Sequence, residues 1–337
     1  MAGRVVKPGP PRAFGPGRSH CFSEILGDND PVNDSVAQLT DRLMRSYEQA
    51  GGINHLDGVN LPSKSAVAAI TLDLLQLLFP GFFSERPIPL REIRGVTAKR
   101  MAIVWHRLAD EMSKSLEYSP PAGMSTGESS ARAGRLAHEF LDKLTRIREL
   151  LQTDVEAAFE GDPAALSREE VIVAYPGLEA IAVQRMAHEL YVERVALIPR
   201  MMTEWAHART GIDLHPGARI GTHFFIDHGT GTVVGETARI GHHVKMYQGV
   251  GLVARSLAGG QQLRGQKRHP TLQDHVTIYA GATIVGGDTV IGEGSTIGGN
   301  VFLMHSVPPH SLVLYEADDV KIVPKAGRFA RGLDYEI

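Results

Sequence analysis

The chain has 337 residues and a single cysteine, Cys21, so no disulfide can form within it and nothing indicates an oxidising compartment. It lacks any apolar run approaching the roughly 18 to 20 residues that span a bilayer, and its first twenty residues have no continuous hydrophobic core. A cytoplasmic protein without a secretory signal is the expectation. Net charge is −3, which removes the basic excess expected of a nucleic-acid binder or a polybasic membrane protein. No Gly-x-Ser-x-Gly elbow and no activated cysteine is evident, which disfavours a covalent acyl-enzyme route.

What the chain does have is a beat of six. Counting from Leu214, aliphatic residues recur at Ile220 and Ile226. After a two-residue slip they return at Val234, Ile240, Met246 and Leu252, then at Ile278, Ile284, Ile291, Ile297 and Leu303. Neither an amphipathic helix nor an alternating strand has that period; it marks a β-solenoid of hexapeptides with the aliphatic side chains stacked inside. Residues 253–267 break the beat and predict a loop between coils.

Upstream, the periodicity predicts helices. One starts at an Asp34 cap and ends at Gly51. Others cover Ser65 to Leu78, Arg91 to Tyr118, Ser129 to Phe159, and Leu178 to Ala208, the last kinked or divided at Pro199 and closed by Gly211. The fold class is therefore α+β: a tail over 1–33, a helical domain over 34–211, the solenoid over 212–310, and a second tail over 311–337.

The solenoid carries titratable groups. Asp213-Leu-His-Pro-Gly-Ala-Arg-Ile-Gly, then Asp227-His-Gly-Thr-Gly-Thr-Val-Val-Gly-Glu-Thr, Lys267-Arg-His-Pro, Thr296-Ile-Gly-Gly and Ser306-Val-Pro-Pro-His-Ser together resemble the serine O-acetyltransferase family. The resemblance implies a left-handed parallel β-helix behind a helical N-terminal domain. It also implies transfer of acetyl from acetyl-coenzyme A to L-serine for cysteine biosynthesis, with no metal.

Alcohol acetylation needs a base of near-neutral pKa on the hydroxyl and a carboxylate to orient it. His228 and Asp213 match the family's residues in those roles, and their fifteen-residue spacing suggests stacking on adjacent coils. By resemblance Asp162 and Asp227 hold the serine ammonium, and His269 lies in the serine site with them. Arg268 suits the serine carboxylate. Glu236 matches a family active-site acid. Ala280, Gly281, Gly298 and Gly299 match small-residue coils lining the pantetheine groove, and Arg255, Arg264 or Lys267 is a candidate for the coenzyme phosphates. The family also implies trimers, or dimers of trimers, with sites between subunits, cysteine feedback at the serine site, and a C-terminal isoleucine, here Ile337, that enters O-acetylserine sulfhydrylase.

Three alternatives stay open. His215, His223, His228, His242, His243, His269 and His275 could supply a three-histidine zinc site of the carbonic-anhydrase kind. Another hexapeptide acyltransferase would act on a sugar or an antibiotic. A non-catalytic scaffold would only regulate the sulfhydrylase.

Overall fold

The computed structural model describes residues 32–84, 86–125, 127–256 and 258–315. The tail expected over 1–33 falls outside them but for its last two residues, and so does the C-terminal end, including Ile337. The chain falls into two compact units, Met1–Val59 and Asn60–Ile337. The first contains helix α1 (Val32–Gln49), which begins two residues before the expected Asp34 cap. No helix among the described residues is long and apolar enough to cross a membrane.

The second unit starts with α2 (Lys64–Leu78), capped by the Ser63 hydroxyl, which accepts from the Ala66 amide. Its stripe of Val67, Ile70, Leu74 and Leu78 is buried. Helix α3 (Ile93–Tyr118) buries Val104, Leu108, Met112 and Leu116, four residues apart and so on one face. The single helix expected over Ser129 to Phe159 is two, α4 (Ser129–Asp142) and α5 (Leu144–Gly161). Between them the Lys143 amide bonds Phe140 three residues back, a one-residue tightening. The Lys143 side chain reaches Glu189 and Glu193 at 3.0 and 2.9 Å.

A short helix not anticipated, α6 (Arg168–Ala174), is capped at its N-terminus. Ser167 accepts from the Glu170 amide, and Glu170 accepts from Leu166. Pro176 opens α7 (Pro176–Val192), and the chain divides before α8 (Ile198–Thr210), where Pro199 sits in the first turn as its missing N–H allows. Gly211 ends α8 in the left-handed region.

From Asp213 the chain winds into a left-handed parallel β-helix of three sheets. The first sheet has the order β1-β4-β7-β10-β13, the second β11-β8-β5-β2 and the third β14-β12-β9-β6-β3. The strands are two or three residues each: β1 (Asp213–Leu214), β2 (Arg219–Ile220), β3 (Phe225–Ile226), β4 (Val233–Val234), β5 (Arg239–Ile240), β6 (Lys245–Met246) and β7 (Gly251–Val253). They continue with β8 (Thr271–Leu272), β9 (Thr277–Ile278), β10 (Thr283–Val285), β11 (Val290–Ile291), β12 (Thr296–Ile297), β13 (Phe302–Leu303) and β14 (Leu312–Val313). The counted aliphatics fill the interior: Met246, Leu252, Ile278, Ile284, Ile291 and Ile297 are fully buried. Leu272, which the count passed over, belongs with them at 1% exposure. The loop between β7 and β8 is the expected interruption.

Helices α5, α7 and α8 all pack on the first coil. Asp154 of α5 and Arg185 of α7 form a buried pair at 2.6 Å. Arg185 also donates to the carbonyls of Ile220 and Gly221, and Asp154 accepts from the Phe224 amide, so two helices are pinned to one coil.

Candidate active site

The solenoid has three edges, and apart from Asp213, in β1 itself, and Asp162, at the end of α5, the candidate residues fall on the two that flank the first sheet. The edge between the third and first sheets carries Asp227 and His228, in the corner linking β3 to β4. His228 holds a φ of +58°, in the left-handed region that histidine tolerates better than branched residues. Its ring projects into solvent at 72% exposure, with Nδ1 3.8 Å from Asp227 Oδ1. Asp162, at the end of α5, accepts from the Tyr175 hydroxyl at 2.5 Å and from the Ala164 amide at 2.9 Å. These two bonds, Tyr175's first, hold its carboxyl below the usual range, with Lys245 and His228 adding attraction. The same bond pushes Tyr175 up to about 12. Lys245 donates to the Gly161 carbonyl and lies over the Phe225 ring at 5.0 Å. Ala280 and Gly281 follow β9, and Gly298 and Gly299 follow β12, so all four line this same edge farther along.

Asp213 sits on the first sheet itself, and the edge between the first and second sheets carries the rest. Asp213 opens β1 and pairs with Arg200 of α8 at 3.2 Å. Glu236 accepts from the Tyr191 hydroxyl of α7 at 2.6 Å and from Arg268. Burial pushes the Glu236 carboxyl up, but these two bonds outweigh it and hold it below its ordinary value. His269 is buried; its Nδ1 accepts from the Thr237 amide at 3.1 Å, which leaves the hydrogen of the neutral ring on Nε2. The Thr237 hydroxyl in turn accepts from the amides of Arg268 and His269. Burial, reinforced by Arg268, brings His269 down to about 4. His215, whose Nδ1 accepts from the Gly217 amide, is also lowered to about 4, by burial and then by Arg200. Gly235 is required beside them, because a Cβ there would stand 2.0 Å from the His269 ring. Lys267 belongs to this edge too, not to the glycine-lined one.

The expected stacking of Asp213 under His228 is not realised within one chain. The first coil advances twenty residues, so Asp213 lies opposite Val233, and no hydrogen bond or ion pair joins Asp213 to His228. Tyr175, Tyr191, Arg200, Thr237 and Lys245 were not anticipated. Nothing local marks them, since their partners lie 13 to 84 residues away.

The histidines proposed for zinc are spread over three edges. His223, His243 and His275 stack along the edge between the second and third sheets, with ring centroids 4.0 and 4.8 Å apart. Among the described residues, the group of three potential ligand side chains that does converge is Glu204, His207 and Asp213, and Arg200 already pairs with both of its carboxylates.

A left-handed β-helix behind a helical platform, with an imidazole and carboxylates on its edges, defines an acyltransferase of the hexapeptide-repeat class. No protein-family model matches the chain. It is 41% identical over 261 residues to a plasmid-borne serine acetyltransferase of Synechococcus elongatus, covering 75% of this chain and 81% of that one. It is 45% identical over 166 residues to the serine acetyltransferase of Bacillus licheniformis, covering 49% and 74%. Among solved structures it is similar to serine acetyltransferase isoform 3 of Entamoeba histolytica in complex with cysteine, with a TM-score of 0.65 and 33% identity over 78% of this chain and 87% of that one. Serine acetyltransferase 1 of the same organism, in complex with L-cysteine, gives 0.60 at 33% identity, covering 75% and 99%. The chain belongs to the serine acetyltransferase family, and its activity is acetylation of serine.

Proposed function

We propose that acetyl passes directly from acetyl-coenzyme A to the serine hydroxyl at a site built from two subunits. One contributes His228, Asp227 and Asp162; its neighbour contributes Asp213, Arg268 and His269. The observation that carries this is that His228 and Asp227 stand on one edge of the first sheet while Arg268 and His269 stand on the other. Neither edge suffices alone. The first offers an exposed imidazole and two carboxylates, but its cation, Lys245, is engaged by the Gly161 carbonyl. The second offers a guanidinium, but its two imidazoles are depressed to about 4. A cyclic trimer joins unlike surfaces, so edge can meet edge around the ring.

In such a site Asp162 and Asp227 receive the serine ammonium, and Arg268, supported from behind by Glu236, receives its carboxylate. His228 takes the hydroxyl proton as the oxygen attacks the thioester carbon. Asp213 of the neighbour holds the far ring nitrogen and stabilises the imidazolium. That proton then passes to the departing thiolate, so the C–O bond forms as the C–S bond breaks and no acyl group rests on the enzyme. The glycine-lined edge beyond His228 is the route for the pantetheine arm. Cysteine, which the Entamoeba histolytica relatives hold, is inferred to compete with serine here. Partnership with a sulfhydrylase would rest on Ile337, and loss of binding on its deletion is the measurement that checks it.

His228→Ala is expected to lower kcat by about 10²–10⁴-fold in a thiol-release assay with acetyl-coenzyme A and L-serine, with the native mass unchanged. Turnover close to that of the unaltered chain would overturn the mechanism.

A further inference from the structure

The second sheet carries a feature that acetyl transfer does not use. β2 and β5 pair in register so that Arg219 lies directly beside Arg239, both with exposed side chains. Like charges opposite one another on a sheet destabilise it, and an interleaved carboxylate ordinarily offsets the repulsion. Here neither guanidinium makes a hydrogen bond or ion pair with any described residue.

The two arginines line a cavity of about 270 Å³ together with Lys267, Tyr191, Thr237 and Glu236. The one carboxylate on that wall, Glu236, is already taken by Tyr191 and Arg268. Lys267 donates to the carbonyls of His269 and Pro270, which carry no net charge to balance it. Burial, and to a smaller extent the charge of Arg239, bring its ammonium down to about 8. Three cations thus face one small cavity with no free counter-charge among the described residues.

We propose that this cavity is a binding site for a doubly charged tetrahedral oxyanion of the phosphate type, clamped by Arg219 and Arg239 and capped by Lys267. The planar guanidinium fork matches two oxygens of such an ion, and the ammonium supplies a point charge on a third. The volume suits one phosphate group and its nearest waters, not a whole nucleotide. Lys267 immediately precedes Arg268, so a filled site braces the segment that carries the guanidinium offered to substrate. The phosphate could be free, or it could belong to a larger molecule such as the coenzyme. The proposal does not depend on the acetyl-transfer mechanism, because binding is measured directly.

The test is calorimetric titration and thermal unfolding of the full chain with inorganic phosphate, with sodium chloride at matched ionic strength as the screening control. The unaltered chain is expected to bind phosphate saturably and to gain Tm beyond the chloride control. The double variant Arg219→Ala/Arg239→Ala is expected to lose about tenfold or more in phosphate affinity. Without phosphate it should melt no lower than the unaltered chain, since repulsion has been removed. Should the double variant fail to fold, Arg219→Gln and Arg239→Gln singly give the same reading. No saturable response in the unaltered chain, or an equal response in the variants, overturns the proposal. A second arm compares coenzyme A with its 3′-dephospho form. If the unaltered chain prefers coenzyme A and the double variant does not, the coenzyme's phosphate fills the site; if both show the same preference, free phosphate does.

Discussion

His269 and His215 show how a backbone can decide what an imidazole does. Each ring has its Nδ1 occupied by an amide N–H, and each is held at about 4 by burial and a neighbouring arginine. In the unfolded chain both titrate near 6.5. Between those values the unfolded state binds more protons than the folded one. Stability from these two sites is therefore complete above pH 6.5 and is lost as pH falls toward 4. The slope is at most about 1.4 kcal/mol per pH unit for each ring, reduced by solvent screening of partly exposed groups. Melting temperature measured from pH 7 to 4 should fall, and His269→Gln should flatten the fall; an unchanged slope would count against this assignment. Asp213, Asp227, His228 and Arg268 stand out as candidates in the chain because each sits in a motif. The state of Glu236 could not, because Tyr191 reaches it from a helix 45 residues upstream.

At the scale of elements, α7 is seated on the solenoid through Gly177. A Cβ at that position would stand 2.3 Å from the Ile226 carbonyl oxygen, on the backbone of β3. Two effects of Gly177→Ala oppose each other. Helix propensity favours alanine by about 1 kcal/mol, while displacing a helix from a backbone it touches costs about 1–3 kcal/mol or more. The clash is with backbone, which cannot swing aside, so the substitution is expected to destabilise; denaturant unfolding that showed a gain would refute the contact. Such packing is invisible in the sequence, where Gly177 merely follows a proline. The solenoid was legible because its period is carried by every coil. Leu272 was passed over because the inserted loop reset the count. The break at Lys143 is hidden because no proline or glycine marks it, and the acids that hold its side chain come from α7 and the residue just beyond it.

For the whole molecule, the decisive fact is that one chain does not bring Asp213 to His228. The spacing of fifteen suggests vertical neighbours, but the corner residues 227–232 lengthen the first coil to twenty, and Asp213 pairs with Arg200 while His228 faces Asp227. A site completed by a second subunit makes a quantitative prediction. A chain with His228→Ala keeps its Asp213 edge intact, and a chain with Asp213→Asn keeps its His228 edge intact; each alone should be nearly inactive. When the two are co-expressed in equal amounts, every site draws one edge from each of two chains chosen at random. The chance that the first edge comes from the Asp213 variant and the second from the His228 variant is one half times one half, so about a quarter of the sites regain activity in a cyclic assembly. Thiol release by the purified mixed oligomer should therefore approach about 25% of that of the unaltered enzyme, a level that neither parent can reach. Were His228 and Asp213 to act within the same chain, no pairing of the two variants could place both in one site, and the mixture would remain at the level of its parents.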